Sequence, residues 1–135
     1  MGIFSFVRPP RKYEHYVDRA SFYELLSLRN KAIETMKEAV KQPFAKKEIA
    51  SGLIYLGMMH EKKNEMSEAS DYYHQALEVT AEEEFKYHKH FKQMIEAFIK
   101  NGDEQRAQIW LDNLLVRQTY DKRFAKLSAL KKHYR

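Results

Sequence analysis

The stretch Leu53-Ile54-Tyr55-Leu56-Gly57-Met58-Met59-His60, followed by Ala69, Tyr73 and Ala76, decides how this chain folds. Its apolar residues recur at steps of three and four, the period of a helix that buries one face. Gly57 costs a helix interior about 1 kcal/mol relative to alanine. Nothing local asks for a turn there, so the glycine points to close approach of a neighbouring helix. Glu61-Lys62-Lys63-Asn64 makes a polar connection, and Ala69 is the small residue expected opposite Gly57 on the returning helix. A related spacing comes back at Phe91, Ile95 and Phe98, then Ala107, Leu111 and Leu114. One helix-turn-helix unit used repeatedly predicts an all-α chain of stacked antiparallel hairpins.

Outward from this stretch, the spacing predicts about six helices. Ser21-Phe22-Tyr23-Glu24 matches a capping box and opens a helix with Phe22, Leu25, Leu28, Ala32, Met36 and Ala39 on one stripe. It stops near Gln42, with Pro43 expected in the first turn of the next helix, residues 44–61. Residues 11–20 either form a separate short helix or extend the first without a break. A third helix covers 65–79. Thr80-Ala81-Glu82-Glu83 is a second capping-box match, which starts a fourth helix at Thr80 and sets Glu82, Glu83 and Glu84 at its positive end. That helix ends at Asn101-Gly102, and Asp103 caps a fifth bearing Trp110. A sixth, 120–134, carries Tyr120, Phe124, Leu127, Leu130 and Tyr134 on one side. The organisation expected is an apolar and basic segment, 1–20, before a helical domain, 21–135, closed by a basic terminal helix.

At 135 residues the chain suits one domain with a real core. It has no cysteine, which suits a reducing, cytoplasmic setting, and no apolar run approaches the roughly 20 residues of a membrane span. Ile3, Phe4, Phe6 and Val7 are expected to pack back onto the helices. Net charge is +5 and uneven: residues 117–135 carry +6, and the preceding 116 sum to −1. Arg117, Arg123, Lys126, Lys131, Lys132 and Arg135 therefore form a candidate nucleic-acid patch. A solvated basic face is the plainer account of the same residues.

These residues resemble the tetratricopeptide repeat family, whose unit of roughly 34 residues reads Trp-x2-Leu-Gly-x2-Tyr and then Ala-x3-Phe-x2-Ala. From a start at Ala50, Leu53 takes the tryptophan slot, Leu56-Gly57 the leucine-glycine pair and His60 the tyrosine slot, with Ala69, Tyr73 and Ala76 on the second helix. From His88 the slots fall on Phe91, Met94, Ile95 and Phe98, then Ala107, Leu111 and Leu114; Ala32, Met36 and Ala39 give a fainter echo. The likeness covers Ala50 to Leu115, and its starts lie 38 residues apart. It implies peptide binding in a groove lined by the first helix of each hairpin. The matching positions are Ile54 and Met58 in one hairpin and Lys89, Lys92 and Glu96 in the next. An asparagine that would help clamp a terminal carboxylate falls on Met58 or Glu96, so the likeness implies no clamp here. The mixed lining suits a helix or extended peptide with apolar and acidic residues. Packing of Ile54 and Met58 on a neighbouring helix is the competing account.

Chemistry is not expected. The chain has no Gly-rich phosphate loop, nucleophile elbow or His-Glu-x-x-His pair. His88 and His90 stand two apart, hence on different faces of one helix, and Glu84 with His88 would need further ligands from elsewhere. The expectation is no enzyme, no cofactor and no metal site. Tyr13, Tyr16 and Tyr23 beside Arg11, Lys12 and Arg19 leave open a surface that stacks bases. The leading expectation is a protein-interaction module, an adaptor, regulator or inhibitor that holds a peptide or helix of a partner protein. Nucleic-acid binding through the basic terminal helix is the first alternative. Self-association through Trp110, Phe98 or the N-terminal apolar segment is the second.

Overall fold

The structure, a computed structural model, describes residues 11–133. Within these residues six α-helices follow in order: α1 Tyr13–Leu25, α2 Arg29–Ala39, α3 Lys46–Lys62, α4 Met66–Thr80, α5 Lys89–Lys100 and α6 Glu104–Val116. A 3₁₀ turn, Arg117–Thr119, and a 3₁₀ helix, Lys122–His133, complete the described residues. The fold is all-α and built of stacked antiparallel hairpins.

Each hairpin closes in the same way. Ser27, Asn64 and Gly102 adopt φ of 59°, 60° and 77° just past α1, α3 and α5. The following N–H turns back to a carbonyl of the helix: Leu28 to Tyr23 at 2.8 Å, Glu65 to His60 at 2.8 Å, Asp103 to Phe98 at 2.9 Å. This left-handed closure satisfies carbonyls that the helix end leaves open. The turns lie 37 and 38 residues apart and bring three units into alignment. Tyr16, Leu53 and Phe91 share one position, and Ala20, Gly57 and Ile95 another. On the returning helices Ala32, Ala69 and Ala107 coincide, as do Met36, Tyr73 and Leu111, all buried.

Cross-hairpin hydrogen bonds order the helices into two layers. Tyr55 of α3 donates to Glu24 of α1 at 2.8 Å, and Gln93 of α5 donates to Glu61 of α3 at 3.3 Å. Donors and acceptors occupy equivalent places in successive units, so one bond is used twice along the layer α1–α3–α5. In the other layer, Trp110 of α6 donates to His74 of α4 at 2.9 Å and Arg106 of α6 to Ser70 of α4 at 3.0 Å.

Several local expectations are corrected. Neither capping box is used. Ser21 lies exposed inside α1, so the boundary expected between residues 20 and 21 falls within a helix, and the chain breaks instead at Ser27. Residues 11–42 thus hold two helices, and Tyr16 and Ala20 of α1 are buried. Pro43 stays outside α3 because Phe44 leaves the helical path to set its ring edge-on to Tyr13 and Tyr16, at 6.0 and 5.9 Å. Thr80 ends α4 and starts nothing: it is buried, and its hydroxyl donates to the Leu77 carbonyl and accepts from Arg117. Glu82, Glu83 and Glu84 lie exposed in the connection to α5, where Glu82 pairs with Lys46 at 3.0 Å. The neighbour of Gly57 is the ring of Tyr73, which a Cβ there would overlap.

The terminal helix has the wrong period for an α-helix. Its buried residues are Phe124, Leu127 and Leu130, three apart, with exposed residues between them. Three residues per turn is the 3₁₀ period, which stacks such a triplet on one face. Phe124 meets Tyr87 and Phe91, each at 5.3 Å between centroids, and closes the last hairpin.

Candidate interaction face

On α3, Ile54 and Met58 lie one turn apart, half-buried, with their inner surfaces on the core. On α5, Lys89, Lys92 and Glu96 are exposed. Counted from the closing turns, Lys92 occupies the place of Ile54 and Glu96 the place of Met58. The corresponding residues of α1 are Val17, 36% exposed, and Ser21. All five expected partner-binding residues therefore fall on equivalent faces of helices that run side by side. Glu24 with Tyr55, and Glu61 with Gln93, fasten these helices beside that face. Among the described residues, Lys89, Lys92 and Glu96 have no ion-pair partner of their own. The face is mixed on α1, with Val17 beside Ser21, apolar on α3 and charged on α5.

Burial also sets the acidity of nearby groups. The Tyr73 hydroxyl is raised well above its ordinary range, first by burial and then by its bond to the Glu61 carboxylate. Tyr55 is raised for the same reasons beside Glu24. Both phenols thus stay neutral and act as donors that hold the carboxylates in place.

The basic patch divides. Arg117 is buried, with Nε and Nη2 both donating to Asn113 at 3.1 and 2.9 Å, and Nη1 donating to Thr80 at 3.0 Å. Its guanidinium lies 5.5 Å from the Phe91 ring centroid, and burial lowers its pKa. It serves the core and is closed to a phosphate. Arg123 forks onto Asp121, which also accepts the Tyr87 N–H at 2.8 Å; these donors hold the Asp121 carboxyl far below its usual range. Lys126, Lys131 and Lys132 are exposed, and Arg135 lies outside the described residues, as do Ile3, Phe4, Phe6 and Val7. Tyr16, offered for base stacking, is buried, and so is Phe98, which closes it to a second copy; Trp110 is half-buried against His74.

Two histidine clusters escaped sequence reasoning. His88 and His90 stack at 4.4 Å, because His88 caps α5 in an extended conformation and so leaves the helical face on which two-residue spacing would separate them. Nδ1 of His60 lies 2.8 Å from Glu65, and Glu68 completes a group whose ligand atoms fall within 4.8 Å of one another. Lys63 also stands 3.5 Å from Glu65, and His60 stacks on Tyr72. The hydrogen bond and ion pair account for this group as a clasp across the α3–α4 turn. Its signal lay in the left-handed Asn64, which folds residues five apart onto each other.

Comparison with protein-family models and with curated proteins finds no match to this chain in either. Among the described residues no helix is long and apolar enough to cross a membrane.

Proposed function

We propose that this chain is a tetratricopeptide-like interaction module that holds a helix or extended peptide of another protein across the faces of α1, α3 and α5. The observation that supports it is the alignment of Val17, Ile54 and Met58 with Lys92 and Glu96 on the first helices of successive hairpins, with the lysines unpaired among the described residues. Apolar side chains that are half-buried offer area to a partner, and unpaired cations at one end favour an acidic residue there. The partner segment is amphipathic, with its acidic end over α5. The alignment of three units at 37- and 38-residue spacing favours the tetratricopeptide likeness, and the longer period lies in the connections between hairpins.

The test is capture of partners from native extract by the intact chain, compared with two charge-reversed variants. Lys89→Glu with Lys92→Glu is expected to lose the captured protein, whereas Lys131→Glu with Lys132→Glu retains it. Equal loss from both pairs would reject the α5 face.

A further inference from the structure

Between the first and second hairpins lies an open cleft of ≈ 590 Å³, a size typical of ligand sites. Its floor includes Leu53 and Val79; Gln75, Glu78 and Glu82 stand on the α4 side, and Lys37 and Lys41 on the α2 side. The repeat supplies a second copy of this place between the second and third hairpins. There the position of Leu53 is Phe91, that of Gln75 is Asn113, and that of Val79 is Arg117. The second copy is filled by the chain itself: the Arg117 guanidinium lies over Phe91 and donates twice to Asn113.

We propose that the first cleft receives the arginine side chain of a partner peptide, in the place that Arg117 occupies one unit later. Gln75 keeps the side-chain carbonyl that Asn113 uses, and Glu78 and Glu82 add two carboxylates to the same wall, Glu82 exchanging its exposed ion pair with Lys46 for the guanidinium. A guanidinium presents five donors in a planar fork, which suits adjacent carbonyl and carboxylate oxygens better than an ammonium does. The α2 carbonyl end also closes on this cleft, through Val40 and Lys41, and favours a cation. Lys37 and Lys41 stand 3.6 and 3.7 Å from Glu34 and Glu38 of α2, and are exposed enough to take an acidic neighbour of the arginine. The site is distinct from the α1–α3–α5 face and does not depend on it.

The test is a titration of the ¹⁵N-labelled full chain with the synthetic peptide acetyl-Glu-Ala-Leu-Arg-Leu-Ala-amide, followed by amide NMR shifts. Saturable shifts are expected at Tyr72, Gln75 and Val79. Replacing the peptide's arginine by neutral citrulline, or making Glu78→Gln with Glu82→Gln, weakens binding by about tenfold or more, as lost charge-assisted hydrogen bonds require. Val79→Arg fills the cleft from within, as Arg117 does in the next unit, and abolishes the shifts. Lys89→Glu with Lys92→Glu leaves them unchanged, which separates this site from the helix face. No saturable shift, equal binding of the citrulline peptide, unaltered binding to Val79→Arg, or shifts confined to α5 would each overturn the proposal. The two exposed glutamates test it even if Val79→Arg does not fold.

Discussion

A Cβ placed on Gly57 would overlap the ring of Tyr73, which its hydroxyl bond to Glu61 holds in position. Gly57→Ala gains about 1 kcal/mol of helix propensity. It also forces an overpacked contact that costs about 1–3 kcal/mol, so a net loss is expected in urea denaturation. Gly102 is a glycine for another reason: no atom lies within 4 Å of its Cβ direction, but its φ is 77°. Gly102→Ala should therefore lose about 1 kcal/mol through the backbone alone. The reverse holds at Ser27, where φ of 59° is imposed on a residue with a Cβ. Ser27→Gly is expected to raise the urea midpoint by an amount equivalent to about 1 kcal/mol; a lower midpoint would show that the turn needs the serine side chain. The close approach at Gly57 and the helix end at Gly102 follow from residue type and position; the Tyr73 partner of Gly57 and the turn at Ser27 do not, because neither has a local signal.

Between elements, polar pairs do the fastening, and their acid response has a definite sign. The Ser70 hydroxyl, with help from the Asn101 amide, holds the Asp103 carboxyl below its usual range at the start of α6. The His60 bond does the same to Glu65 at the start of α4. A carboxyl whose folded pKa is depressed stabilises the fold above its ordinary range and loses that contribution as pH falls through and below it. Melting temperature should fall between about pH 5 and pH 2, and less steeply in Ser70→Ala than in the parent chain. An identical slope would show that the Ser70 bond does not tune Asp103. The two carboxylates of the first layer differ in the same spirit. Glu61→Ala strands the fully buried Tyr73 hydroxyl and should cost about 1–3 kcal/mol. Glu24→Ala frees the half-buried Tyr55 hydroxyl to reach water and should cost less, as chemical denaturation of the two variants will show.

At the scale of the whole molecule, a stack of hairpins leaves an apolar face at its end, and the 3₁₀ helix covers it. Phe124, Leu127 and Leu130 are buried there, and Arg117 ties the ends of α4 and α6 together beneath them. Each large side chain removed from that interface costs about 1.5–3 kcal/mol. The three together are comparable with the whole stability of a small domain, about 5–15 kcal/mol. Deleting residues 122–135 should abolish the cooperative thermal transition seen by circular dichroism. A sharp transition near the parent temperature would mean that the three hairpins stand without their cap.

The helical class, the hairpin between Leu53 and Ala76, and the return of its spacing at Phe91 were legible in the chain, because helix burial imposes a period that any single helix displays. The equivalence of Ile54 with Lys92 and of Met58 with Glu96 followed from that period. The first unit was half hidden: Tyr16, Ala20 and Tyr23 stand 37 residues before Leu53, Gly57 and His60, but the turn that aligns them is a serine between leucines. Tertiary structure alone decided what happens where local preferences compete. The capping boxes at Ser21 and Thr80 are sound local signals worth about 1 kcal/mol each. Burial of Tyr16 and Ala20 in one case, and the need of the buried Arg117 for the Thr80 hydroxyl in the other, outweighs them. The same competition withdrew Arg117 from the basic surface, since a guanidinium reads as exposed from sequence until its acceptors, distant in the chain, close around it.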